Sequence, residues 1–166
     1  MAENAESIDI IYFGNPVFDI SVNDPDRDVM GRYSLELGMA CLASPEQIPI
    51  YQELWNREDK LTSPGGSALN SARAQKHCNA NGSVAYFGCI GNDAYGESLS
   101  AAVNQAGVIG RFETTSEDRT ALCACVIVGK ERTLCADIAA AKKFSMAYLQ
   151  AHMVSLLSTA DAIVIV

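Results

Sequence analysis

Gly65-Gly66-Ser67, with Asn70 about one turn further on, is the stretch of this sequence whose residue types most constrain its chemistry. Two adjacent glycines carry no Cβ, so another group can lie directly against the backbone. Ser67 to Cys78 reads as a helix, with Ala68, Leu69 and Ala72 on one side and Arg73 and Lys76 on another. The first turn of a helix offers unpaired N–H groups to an oxygen-rich or anionic group, and the Asn70 amide can both donate and accept. A tight turn closing a helix onto a sheet would use the same glycines. A second polar set stands in Gly14-Asn15-Pro16-Val17-Phe18-Asp19-Ile20. Asp19 lies among Val17, Phe18 and Ile20, where burying a carboxylate is costly unless it is paired or hydrogen-bonded. In a half-buried strand it could equally face water. Asn15 and Asp19 together supply donors and acceptors suited to a vicinal diol. A third set, Phe87-Gly88-Cys89-Ile90-Gly91-Asn92-Asp93-Ala94-Tyr95-Gly96, reads as structure. Its polar residues are those a strand-to-helix turn requires.

These sets need elements to hold them. The apolar run Ile8–Phe13 predicts a buried first strand, broken by Gly14-Asn15-Pro16. Val17–Val22, a helix around Asp26–Tyr33 and a short strand Met39–Ala43 follow. Ser44-Pro45-Glu46-Gln47 predicts a helix start, with Ser44 as cap, Pro45 at the first helical position and Gln47 closing a capping box. That helix is expected to turn Ile48, Tyr51, Leu54 and Trp55 inward. After the helix 67–78 come a strand 83–90 and a helix 95–106 ending on Gly107. Thr120–Val128 and Arg132–Asp137 read as a hairpin across Gly129-Lys130-Glu131. A helix 145–158 and a strand 161–166 resume the alternation. Strands separated by helices imply a doubly wound α/β fold with a mostly parallel sheet. Val17–Val22, Met39–Ala43 and the hairpin fall outside that rhythm and are expected to form a small separate sheet.

Composition narrows the function classes. At 166 residues and 49% hydrophobic, the chain can bury a core of ordinary domain size. Its formal net charge of −8 argues against sequence-independent nucleic-acid binding, which needs basic patches. No stretch is long and apolar enough to span a bilayer, and Ala2-Glu3-Asn4-Ala5-Glu6 is not laid out as a signal peptide. The six cysteines fall mostly in apolar runs without a Cys-x-x-Cys pair. That is core thiol usage in a reducing compartment, the cytoplasm, rather than a disulfide frame or zinc site. His77 and His152 read as helix-surface residues without a catalytic role.

The three sets, in this order, together with Cys123-Ala124-Cys125-Val126-Ile127-Val128-Gly129-Lys130-Glu131-Arg132-Thr133-Leu134 and Ala136-Asp137, resemble the ribokinase-like (pfkB) carbohydrate kinases. The Asn-Pro-x-x-Asp opening and the Cys-Ala…Gly-x-x-Arg hairpin favour the adenosine kinase branch. The resemblance runs from about Ile8 to the last residue and implies residues 1–166 as the N-terminal part of such a kinase domain. Lid segments would lie at about 17–22, 39–43 and 120–137, the remainder forming the α/β core. The implied reaction is transfer of the ATP γ-phosphate to the 5′-hydroxyl of adenosine, giving AMP, with magnesium as cofactor and purine salvage as the setting.

The resemblance also implies roles. Asp19 would accept hydrogen bonds from the ribose 2′- and 3′-hydroxyls, with Asn70 completing the clamp and Asn15 contributing beside it. Gly65, Gly66 and Ser67 would let the ribose rest near its 5′ end, and Leu42, Cys123, Leu134, Ala136 and Ile138 would line the adenine pocket. Arg132 would approach the phosphates; a solvated turn arginine is the plainer reading. The family's Asn-x-x-Glu magnesium motif and its Gly-Ala-Gly-Asp anion hole, which carries the general base, do not occur in these residues. No catalytic or metal-binding role is therefore assigned within this chain, and a C-terminal half is expected as its complement. Ala140-Ala141-Lys142 departs from the family's Ala-Ala-Asn, putting a cation where an amide is usual. Two further readings stay open: another pfkB enzyme acting on a free sugar, and a non-catalytic nucleoside-binding chain.

Overall fold

The computed structural model describes residues 8–153 and 160–165. Strands in chain order are β1 (Ile10–Phe13), β2 (Val17–Asn23), β3 (Ala40–Leu42), β4 (Leu61–Gly65), β5 (Val84–Gly91), β6 (Ile109–Thr115), β7 (Leu122–Val128), β8 (Glu131–Asp137) and β9 (Ala162–Ile165). The α-helices are α1 (Asp28–Arg32), α2 (Ile50–Trp55), α3 (Ser67–Cys78), α4 (Ala94–Gln105) and α5 (Met146–Met153). Residues 154–158 of the helix expected over 145–158, and residue 166, lie outside the described residues.

Four strands form a parallel sheet in the order β6-β5-β1-β9. Alternation sends Tyr12, Val84 and Tyr86 to one face, where Leu69 and Ala72 of α3 and Leu99 and Val103 of α4 cover them. Ile11, Phe13, Ala85 and Phe87 face the other way, against Phe144, Tyr148 and Leu149. Helices on both faces make this the doubly wound arrangement expected. Leu69 and Leu99 are wholly buried, and each stabilises the fold by about 1.5–3 kcal/mol. No helix among the described residues is long and apolar enough to cross a membrane.

The remaining five strands form a second, mixed sheet in the order β3-β8-β7-β2-β4. It gathers the segments that fell outside the helix–strand rhythm and adds β4, which was not expected. Leu61-Thr62-Ser63-Pro64-Gly65 has no apolar alternation, and its proline argues against a strand. The sheet tolerates that proline because β4 is an edge strand, paired only with β2. β6 was also missed: Ile109-Gly110-Arg111-Phe112-Glu113-Thr114-Thr115 lies at a sheet edge, half-buried, and lacks the apolar run of its neighbour β5.

The helix begun at Ser44 is corrected too. Gln47 does close onto the Ser44 N–H at 2.9 Å, but Pro45–Gln47 is a 3-10 turn, and the α-helix starts afresh after Pro49. The break turns Ile48 to the surface and brings Ile50 into the core beside Tyr51 and Leu54, with Trp55 half-buried.

Asp93 ties the two sheets together. One carboxylate oxygen caps α4 by accepting from the Gly96 N–H at 2.8 Å and also takes the Thr120 hydroxyl at 2.8 Å. The other accepts the Thr120 N–H at 2.8 Å, just ahead of β7. Thr120 is wholly buried and receives the Gly91 N–H on its hydroxyl oxygen at 3.0 Å. Asp93→Ala removes a cap and strands buried donors, a loss of about 2–4 kcal/mol. A urea melt of that variant is expected to show a correspondingly lower midpoint, with Asp93→Asn in between. A midpoint unchanged from the parent would mean that solvent replaces these bonds without loss.

Candidate functional site

Alternation in the second sheet divides its residues between two faces. Phe18, Ile20 and Val22 of β2, Leu122, Ala124 and Val126 of β7, and Cys135 of β8 pack into the core. Their neighbours Val17, Asp19, Cys123, Cys125, Arg132, Leu134 and Ala136 line an open cavity of about 290 Å³. Gly66, Ser67 and Asn70 close it from the start of α3. Sheet pairing fixes the arrangement: Asp19 stands beside Cys123 across the parallel β2–β7 pair, and Cys123 beside Ala136 across the hairpin. An acid, an amide, a guanidinium and apolar side chains therefore converge on one space.

The glycine pair makes room for the protein's own atoms. A Cβ on Gly65 would run into the Asp19 carboxylate, whose Cγ lies only 2.6 Å from that position. Gly66 has a φ of +97°, which side chains rarely adopt, and a Cβ there would collide with the Asn15 carbonyl oxygen. The pair thus seats Asp19 against the backbone at the mouth of α3. The Gly66 carbonyl then receives the Asn70 N–H at 2.9 Å, the first bond of the helix.

Burial raises the Asp19 pKa to about 6, opposed by the positive charges of Arg132 and Arg73. No hydrogen bond among the described residues ends on its carboxylate. An acceptor so placed is open to donors arriving in the cavity. Asn70 is exposed, and its side-chain oxygen accepts a hydrogen bond from Arg73 Nη1 at 3.3 Å. Arg73 Nη1 also donates to the Pro64 carbonyl at 2.8 Å. The Cys123 and Cys125 sulfurs lie 3.9 Å apart. Their hydrogen bond and burial hold the Cys123 thiol far above its ordinary range.

Of the residues singled out in the sequence, Asp19, Gly66, Ser67, Asn70, Cys123, Leu134, Ala136 and Arg132 share this cavity. Arg132 lies within β8 rather than in the turn. Asn15 is exposed and meets the site through its carbonyl at Gly66, while Gly65 lies beneath the Asp19 carboxylate. Leu42, on an edge strand, is 68% exposed, and Ile138 follows the end of β8; neither lines the cavity. Val17 and Cys125 line it without having been singled out. Each sits two residues from one that was, Asp19 and Cys123, and period 2 along a strand is the signal that finds them.

Comparison with known proteins places this geometry in context. The family model for pfkB family carbohydrate kinases matches residues 39–166. The adenosine kinase of Schizophyllum commune is 31% identical over 149 residues, covering 90% of this chain and 43% of that one. That of Dictyostelium discoideum is 32% identical over 145 residues, covering 87% and 42%. The chain thus spans under half the length of the curated relatives it matches. Among solved structures, Trypanosoma brucei brucei adenosine kinase superposes with a TM-score of 0.83 at 33% identity, covering 89% of this chain and 46% of that one. Anopheles gambiae adenosine kinase, solved with P1,P4-di(adenosine-5) tetraphosphate, superposes with a TM-score of 0.82 at 28% identity, covering 94% and 47%.

Proposed function

The chain belongs to the pfkB family of carbohydrate kinases, and we propose that it is the nucleoside-binding portion of an adenosine kinase. The observation that carries this reading is the Asp19 carboxylate, half-buried and without a donor among the described residues, in a cavity shared with Asn70 and the apolar Leu134 and Ala136. A carboxylate can take both hydroxyls of a ribose diol, each charge-assisted bond contributing about 1.5–3 kcal/mol. Apolar residues on the hairpin side suit a flat base better than a second polar sugar.

In this reading the second sheet is the lid over the substrate, and the 5′-hydroxyl points toward the start of α3. The family reaction transfers the ATP γ-phosphate to that hydroxyl, chemistry that rests on positioning and charge stabilisation. Arg132 would face the phosphates. ATP and magnesium are the co-reactants this activity requires, and none of the cavity residues is assigned to the metal. The general base and anion hole are not among these 166 residues, since the motif that carries them is absent.

The 166-residue polypeptide is therefore expected to bind adenosine yet form no AMP from adenosine and ATP. Isothermal titration with adenosine, 2′-deoxyadenosine and ribose tests the first half. Adenosine is expected to bind at least about tenfold more tightly than either analogue: 2′-deoxyadenosine lacks a hydroxyl that the Asp19 carboxylate would accept from, and ribose lacks the base that the apolar residues would cover. Ribose binding as tightly as adenosine would transfer the chain to the free-sugar reading. Chromatographic assay for AMP tests the second half, and clear ATP-dependent AMP formation would overturn it.

A further inference from the structure

We propose that Asp19, Cys123 and Cys125 form a binding site for a single thiophilic divalent cation, zinc or cadmium, in the wall of the cavity. One carboxylate oxygen and the two sulfurs lie within 4.8 Å of one another. Two thiolates about 2.3 Å from a tetrahedral zinc stand about 3.8 Å apart, and the sulfurs here are separated by 3.9 Å. The spacing is built into the sheet. Cys123 and Cys125 are two residues apart on β7 and so share a face, and Asp19 is the register partner of Cys123 on β2. No other group of three such ligands stands among the described residues.

The donor set decides the class of ion. Two thiolates and a carboxylate favour zinc or cadmium over magnesium or calcium, which prefer all-oxygen shells. On binding, the cation displaces one proton from each thiol into solvent, forming two metal–sulfur bonds. Three protein ligands leave a fourth position, which opens into the cavity and is available to water. Asp19 cannot serve the cation and a ribose diol together, so the two ligands exclude each other. That last clause rests on the nucleoside reading; the cation site itself does not.

The test titrates the full 166-residue chain, kept reduced, with cadmium and follows the thiolate-to-cadmium charge-transfer absorption in the ultraviolet. One equivalent is expected to bind, releasing two protons, with zinc displacing it and magnesium without effect. Cys123→Ser and Cys125→Ser are each expected to weaken binding at least about hundredfold, and Asp19→Asn about tenfold. Cys78→Ser, which alters an exposed thiol elsewhere, is expected to change nothing. Should the serine variants unfold, the cadmium-113 resonance of the parent still decides, since its shift reports the number of sulfur ligands. No absorption band, a band retained in both serine variants, or a resonance showing other than two sulfurs would overturn the site. Adenosine is expected to raise the apparent cadmium Kd. If cadmium binds as described but adenosine leaves it unmoved, the sharing of Asp19 is wrong and the cation site stands.

Discussion

Asp19→Ala is expected to lower the affinity of the chain for adenosine by at least about tenfold while raising its melting temperature. The loss follows from removing an acceptor whose charge-assisted hydrogen bonds are each worth more than about 1.4 kcal/mol. The gain has a separate cause. Burial lifts the Asp19 pKa from its ordinary 3.8 to about 6, so the folded state holds this proton more tightly than the unfolded one. Its contribution to stability is therefore present below about pH 4 and is lost as the pH rises through about 6. At pH 7.5 the charged carboxylate is a liability until a ligand satisfies it. Discounted for partial exposure and for the screening that goes with it, the relief is about 1 kcal/mol, or about 2–4 °C. Asp19→Asn, which keeps the shape and drops the charge, should share both effects. Calorimetric titration and a thermal melt at pH 7.5 measure them together. Unaltered adenosine affinity would return Asp19 to a solvent-facing strand residue.

Gly66→Val is expected to abolish the cooperative fold. Its φ of +97° is strained for any side chain, and the new Cβ would meet the Asn15 carbonyl, a backbone atom that cannot rotate aside. A β-branched residue compounds both problems. Gly66→Ala meets the same collision without the branch and should cost several kcal/mol. Gly65→Ala is the informative contrast. There the obstacle is the Asp19 carboxylate, a side chain able to turn. That variant should fold and lose adenosine affinity, separating the two glycines by mechanism. Circular dichroism through a denaturant series distinguishes the cases, and a parental melt for Gly66→Val would show that the backbone yields there.

Much of this arrangement was legible in the residues. Unbroken apolar runs marked β1, β5 and β7, the Gly129-Lys130-Glu131 turn marked β8 as the return strand of a hairpin, and α3 was bounded correctly at Ser67 and Cys78 because Ala68, Leu69 and Ala72 repeat at helical spacing. The Asp93 cap was readable from its place between strand and helix. β4 and β6 were not, because Pro64 in the one and Gly110, Arg111 and Glu113 in the other interrupt any apolar run, and pairing with a neighbour rather than composition makes them strands. Ile48 and Ile50 exchanged places for a related reason: Pro49 restarts the helix, and a shift of register rotates its apolar face. At the site, Asp19 and Asn70 stood out by residue type and Arg132 through the family resemblance, and the three share one cavity. The bare glycine pair admits the Asp19 carboxylate and the Asn15 carbonyl, and Gly66 also lines the cavity. Sequence types show that backbone is bare, not which atom fills the space.

The two-faced second sheet has a consequence for how this protein could be altered. Positions that line the cavity and positions that hold the hydrophobic interior alternate along the same strands, so neither set needs to change when the other does. A library randomised at Val17, Cys125 and Leu134, with Phe18, Ile20, Leu122, Ala124 and Cys135 kept, would vary the shape of the cavity on a preserved scaffold. The shape of the cavity in this architecture can thus drift, or be engineered, one strand residue at a time.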